Sequence, residues 1–205
     1  MTIPTPRNGQ NHHKQQILDA IARMNYRTAT RFIAGQFHGI ISTRQAAEWD
    51  IPADALRVLC NRGALRRLAH GVYRHLEVPR TRLTAYAAAV ECVGPDAWIA
   101  RRSVLPMVGL DTPSRVISVG VPRRIQRKLP AFIDVIEEAV GHIDTIGEFK
   151  GIRTFRPEVV LVENEMRPIT PSQIAVGIRT GVIDATVLSE VPRRHRLLRR
   201  LPEVD

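Results

Sequence analysis

Residues 42–76 impose the tightest local constraint in this 205-residue chain: two short helical stretches part at Asp50-Ile-Pro52, and two β-prone runs follow Gly63. Ser42-Thr-Arg-Gln45 has capping-box spacing, in which a hydroxyl takes an orphan helix N–H and a glutamine three residues on reaches back. The helix it opens extends through Glu48 or Trp49. Pro52 disfavours helical backbone at Ile51 yet suits the first turn of a new helix, so the chain turns and restarts there. The spacing predicts a second helix from about Ala53 to Arg62. Leu56, Leu59 and Cys60 fall on its inward face, and Asp54, Arg57, Val58 and Asn61 on its outward one. Gly63 ends it as a C′ residue, and Ala64 to Leu68 and Val72 to Leu76 form a hairpin around Ala69-His70-Gly71.

Upstream, Gln16 to Ile33 places Ile17, Ile21, Met24, Thr28 and Phe32 at spacings of three and four, the pattern of an amphipathic helix behind a flexible arm at residues 1–14. Gly39 stops that region, and Ile40-Ile41 reads as a short buried strand or a hydrophobic staple. Helix, turn, helix and hairpin together form a winged helix-turn-helix, whose second helix fits a major groove and whose wing meets the adjacent backbone or minor groove. Arg57 suits bidentate contact with guanine O6 and N7, and Asn61 suits adenine N6 and N7. Arg62 is placed for a phosphate. Arg44 and Gln45 sit where the preceding helix crosses the backbone, and Arg66, Arg67, His70 and Arg74 charge the wing. Asp54 either complements the helix N-terminus or accepts from cytosine N4. A solvated face on a protein-interaction adaptor is the alternative for the whole module.

The charge distribution agrees with this placement. The formal net charge is +10, of which residues 1–80 carry +7 and residues 81–205 only +3. Arginine accounts for 27 of the 30 basic residues, a skew that genome composition produces as readily as phosphate recognition.

Pro79 and Arg80-Thr-Arg82 mark a boundary, giving a DNA-binding domain over residues 1–80 and a second domain over 81–205. The second domain opens on a helix from Leu83 to Val93. Strands at Ala97 to Ala100, Arg115 to Val121 and Phe155 to Glu163 follow, with helices at Ser103 to Val108, from Thr170-Pro171 to near Gly181, and at Asp184 to Glu190. The fold class is therefore α+β. The tail from Pro192 to Leu201 carries five arginines with Leu197, Leu198 and Leu201 at helical spacing, as in a basic amphipathic helix.

The stretch from Gly39 to Tyr73 closely resembles the N-terminal winged helix of the AbiEi antitoxins of bacterial abortive-infection, type IV toxin-antitoxin systems. The family's R-G-x-L-x-R-x-x-x-G-V-Y pattern is met by Arg62, Gly63, Leu65, Arg67, Gly71, Val72 and Tyr73. Ala97 to Leu110 is similar to the strand-helix segment that opens the family's C-terminal antitoxicity domain. The resemblance implies an autorepressor that binds inverted repeats in its own promoter and neutralises a nucleotidyltransferase-like toxin. It also allows for covalent inactivation of the toxin, for example by phosphorylation.

No P-loop, G-x-S-x-G, H-E-x-x-H or C-x-x-C motif is present, so no catalytic, metal or cofactor residues are assigned. An atypical Ser/Thr kinase acting on the toxin is the alternative enzyme reading. Its acidic candidates are Glu163 and Glu165 after a strand, and Asp134, Glu137 and Glu138; its cations are the run 123–128. Single-stranded RNA is disfavoured because only 5% of residues are aromatic and none interleaves with the basic wing. No apolar run suits a bilayer, and Cys60 and Cys92 sit in separate helical patterns as reduced thiols. The expectation is a cytoplasmic protein.

Overall fold

The computed structural model describes residues 25–138, 146–163 and 170–198, and the chain divides into two compact units, Met1–Ala88 and Ala89–Asp205. The first unit contains α1 (Tyr26–Gln36), β1 (Ile40–Ser42), α2 (Thr43–Ala47), α3 (Ala53–Asn61), β2 (Leu65–Ala69) and β3 (Val72–His75). The strands form an antiparallel sheet in the order β1-β3-β2, an arrangement compatible with a winged helix-turn-helix.

Local chemistry sets most of these boundaries. Asn25, in extended conformation, caps α1 by accepting from Thr28 N–H. Within α1 the buried face is not the predicted one through Thr28 and Phe32. Ala29, Thr30, Ile33 and Ala34 are its buried residues instead, Thr28 is exposed, and Phe32 is 44% exposed. The positions Ile17, Ile21 and Met24 lie outside the described residues.

The capping box at α2 is complete. Ser42 Oγ accepts from Gln45 N–H at 3.2 Å and Gln45 Oε1 accepts from Ser42 N–H at 2.9 Å. Asp50 makes the turn to α3 in the left-handed region, at φ 55°, which aspartate tolerates better than most L residues. Ile33, Ile41, Leu56, Leu59, Leu65 and Tyr73 form the core that α1, α2, α3 and one sheet face share. His75, fully buried, ties α1 to the sheet: its Nδ1 accepts from Glu77 N–H and its Nε2–H donates to the Arg27 carbonyl, both at 3.3 Å. A side-chain ion pair from Arg27 to Glu77 closes the same corner.

Helix α4 (Thr84–Val93) contains the division between the units. The second unit continues through β4 (Trp98–Ile99), a 3-10 turn (Arg101–Ser103), α5 (Val104–Val108), β5 (Ile117–Val121), β6 (Ile133–Glu137), β7 (Ile146–Phe149) and β8 (Ile152–Phe155). It closes with α6 (Pro157–Glu163), α7 (Pro171–Arg179) and α8 (Ala185–Leu198). Five strands form a mixed sheet in the order β6-β5-β4-β8-β7, with β5 buried along its whole length. Lys150 and Gly151, at φ 50° and 80°, make the two-residue turn between β7 and β8.

Two sequence expectations change here. Phe155 to Glu163 is not a strand: Phe155 ends β8, and Pro157 stands at the start of a helix, a position where its missing N–H costs nothing. Strands β6 and β7 had no counterpart in the sequence reading. Both are sheet edges of half-buried residues, where neither clean alternation nor a continuous apolar run announces a strand. The helix opened by Thr170-Pro171 does form, with Thr170 and Gln173 in a second capping box. Helix α8 extends past Glu190 into the basic tail as far as Leu198.

Candidate nucleic-acid interface

Helix α3 turns Ala55, Leu56 and Leu59 into the core and leaves Asp54, Arg57, Val58 and Asn61 outside, as the helical period requires. The hairpin of β2 and β3 stands beside it. Arg67 lies opposite Tyr73, and Arg66 opposite Arg74. Side chains alternate across a sheet, so these two pairs occupy opposite faces. Tyr73 belongs to the core shared with the helices, which puts Arg67 on the α3 side.

The result is a groove of about 400 Å³ into which Arg57 and Asn61 project from α3 and Arg67 and His70 from the wing. The wing tip is held in shape from within: Arg67 Nε donates to the Ala69 carbonyl and its Nη2 lies 3.3 Å from His70 Nδ1. It is also tied to the start of α2, because Thr43 N–H donates to the Gly71 carbonyl at 2.8 Å. Gly71 sits at φ 69°, and a Cβ there would meet Thr43 Oγ1 at 2.8 Å, so glycine answers both the backbone and the space. The sequence reading missed Thr43; the Gly71-Val-Tyr73 signature was the signal that some element packs hard against this turn.

The remaining wing and helix residues fall elsewhere. Arg66 is exposed on the far sheet face. Arg74 shares that face, is half-buried, and reaches the Val78 carbonyl at 3.4 Å. Burial, with the charges of Arg80 and Arg66 beside it, holds its guanidinium below the ordinary arginine range. Arg62 caps the end of α3 and borders a different groove with Val58 and Tyr26. Arg44 is half exposed on α2, paired with Glu48 at 3.0 Å.

Gln45 requires a correction. It is only 3% exposed, and its carboxamide oxygen is committed to Ser42 N–H, so it holds the start of α2 and presents nothing to a ligand.

In the second unit the acidic candidates are dispersed. Glu163 ends a helix, so its expected place after a strand does not hold, and Glu165 lies outside the described residues. Asp134 faces Arg102 at 3.6 Å and Glu138 faces Arg101 at 3.1 Å. In the 123–128 run, Arg123 approaches Asp96 at 3.8 Å, and Arg127 donates to the Cys92 and Val93 carbonyls at the end of α4. A residue the sequence did not single out, Glu158, is buried and accepts from Asp184 N–H at 2.6 Å, at the entry to α8. Both cysteines are free, and burial pushes the Cys92 thiol up to about 11. Among the described residues no helix is long and apolar enough to cross a membrane.

Among curated proteins no match to the chain was found. A family model described as transcriptional regulator, AbiEi antitoxin, matches residues 17–74, a span that takes in α1, β1, α2, α3, β2 and β3 through Arg74. Over this N-terminal segment the chain is similar to the AbiEi antitoxin family of transcriptional regulators.

Proposed function

We propose that the first unit binds double-stranded DNA in the promoter of its own operon and represses it, with α3 in the major groove and the β2–β3 hairpin as the wing. The observation that carries this reading is the single groove lined by Arg57 and Asn61 from the helix and by Arg67 and His70 from the wing. Guanidinium and carboxamide are the groups that make bidentate contacts with guanine and adenine edges. Arg67 and His70 meet the flanking backbone or minor groove, and Arg44, Arg62 and Arg66 serve phosphates around it. Arg74 acts through the sheet, steadying the far side of the wing.

The second domain, residues 81–205, neutralises a nucleotidyltransferase-like toxin, and both activities belong in the cytoplasm. The similarity of the N-terminal segment to AbiEi antitoxins supports this antitoxin role; the five-stranded mixed sheet supplies a scaffold for the toxin-facing surface.

Fluorescence anisotropy of the whole protein on its own upstream DNA and on a shuffled duplex, across a salt series, tests the repressor role. A preference of about 10³ or more for the upstream DNA is expected of a specific regulator. Weak, equal and steeply salt-dependent binding to both would refute it.

A further inference from the structure

Within the α3–wing groove, Asp54 is the one acid among the lining residues, and its Oδ1 lies 3.2 Å from Arg57 Nη2, one helical turn away. Both side chains are mostly exposed, at 82% and 71%. In the free protein such a pair contributes little to stability, and a carboxylate on a phosphate-binding face repels the ligand. Its placement therefore calls for a role that is realised only in the complex.

Resting on the DNA-binding reading above, we infer that Asp54 is a positioning residue for base readout: it holds the Arg57 guanidinium in the orientation that meets guanine O6 and N7. An arginine has five N–H donors in a planar fork, so one edge can engage the carboxylate while the other stays free for the base. Asp54 is itself well anchored for this task, because the first turn of a helix favours a negative charge. Exclusion of water at a protein–DNA contact strengthens the pair that solvent weakens in the free protein. Asp54 thereby exchanges some general affinity for discrimination at one base pair.

The two properties can be read separately. In the upstream duplex, guanines are replaced one at a time by 7-deazaguanine, which lacks the N7 acceptor, and binding is measured for the wild type, Asp54→Asn, Asp54→Glu, Arg57→Ala and the Asp54→Asn/Arg57→Ala double variant. The wild type should prefer guanine at one position by about fivefold, the lower range for a bidentate base contact. Arg57→Ala should abolish that preference, Asp54→Asn should at least halve it while tightening binding to shuffled DNA, and Asp54→Glu should restore most of it. The double variant should discriminate no worse than Arg57→Ala alone.

Full guanine preference in Asp54→Asn, with binding to every duplex merely tighter, would overturn the inference and leave Asp54 as simple repulsion. Loss at a cytosine that Arg57→Ala does not affect would overturn it in favour of direct reading by the carboxylate. Equal binding of the wild type to upstream and shuffled DNA would sink the DNA-binding reading together with it, an outcome distinct from the other two.

Discussion

Gly120→Ala is a substitution for which local and tertiary physics disagree in sign. Glycine inside a strand costs roughly 0.5–1 kcal/mol relative to alanine, so propensity alone expects the change to stabilise β5. Across the β4–β5 pair, however, Gly120 lies opposite Trp98, whose indole is folded over it. An added Cβ would stand 2.8 Å from Cζ2 and nearer still to Nε1 and Cε2. The indole is 1% exposed and packs against Phe155 at a centroid distance of 5.9 Å, so it has no free direction in which to retreat. Overpacking of this kind costs about 1–3 kcal/mol, and complete expulsion of the ring is bounded by the roughly 3–5 kcal/mol of a Trp→Ala change. The clash outweighs propensity, and the net expectation is a loss of about 1–2 kcal/mol.

A double-mutant cycle identifies the cause. Trp98→Ala alone should cost about 3–5 kcal/mol, and adding Gly120→Ala to it should cost almost nothing more, because the atoms that clash are gone. Urea unfolding of the full chain by far-UV circular dichroism, with midpoints compared at a common slope, supplies the three differences. If the two changes add within about 0.5 kcal/mol, or if Gly120→Ala alone stabilises the protein, the stacking argument is wrong.

Three further expectations concern the first unit. Arg57→Ala or Asn61→Ala should cost about 1–3 kcal/mol on the upstream duplex and little on shuffled DNA, as measured by anisotropy titration; equal losses on both would remove the base-reading roles. Arg67→Ala should instead weaken binding to all duplexes similarly and reduce the slope of log K against log salt by about 0.9, with an unchanged slope ruling out a phosphate contact. His75 supplies a pH dependence: burial depresses its pKa below the ordinary 6.5, so the neutral ring's contribution is present above that value and is lost as pH falls below it. Thermal midpoints should therefore decline as pH falls below about 6.5, and His75→Gln should flatten that decline. Glu77, whose carboxyl Arg27 holds below its usual 4.5, contributes its own loss only at lower pH, so the two effects separate.

Helix punctuation was legible because it is local. Ser42 with Gln45, Pro52, Gly63, and Thr170 with Gln173 satisfy or release backbone groups within a turn of themselves, and each marks an element end in the folded protein. The same locality made the outward set on α3 readable, since a helix of fixed period needs only to know which residues are apolar. The sequence by itself therefore determined the helices α2 and α3 with the turn between them, the β2–β3 hairpin, the α+β class and the placement of Arg57 and Asn61 one turn apart on α3.

Tertiary structure decided what depends on partners distant in the chain. Pro157-Glu-Val-Val-Leu-Val-Glu163 reads as a β-branched strand until packing against α8 makes it a helix, with Glu158 meeting Asp184 N–H 26 residues away. The edge strands β6 and β7 exist because β5 and β8 offer unpaired backbone, a property no window of their own residues records. Pairing register separated Arg67 from Arg66, sending one toward α3 and the other to the opposite face. Gln45 was assigned outward by type and turned inward by its capping bond, because a buried N–H at Ser42 had a stronger claim on its carboxamide than solvent did.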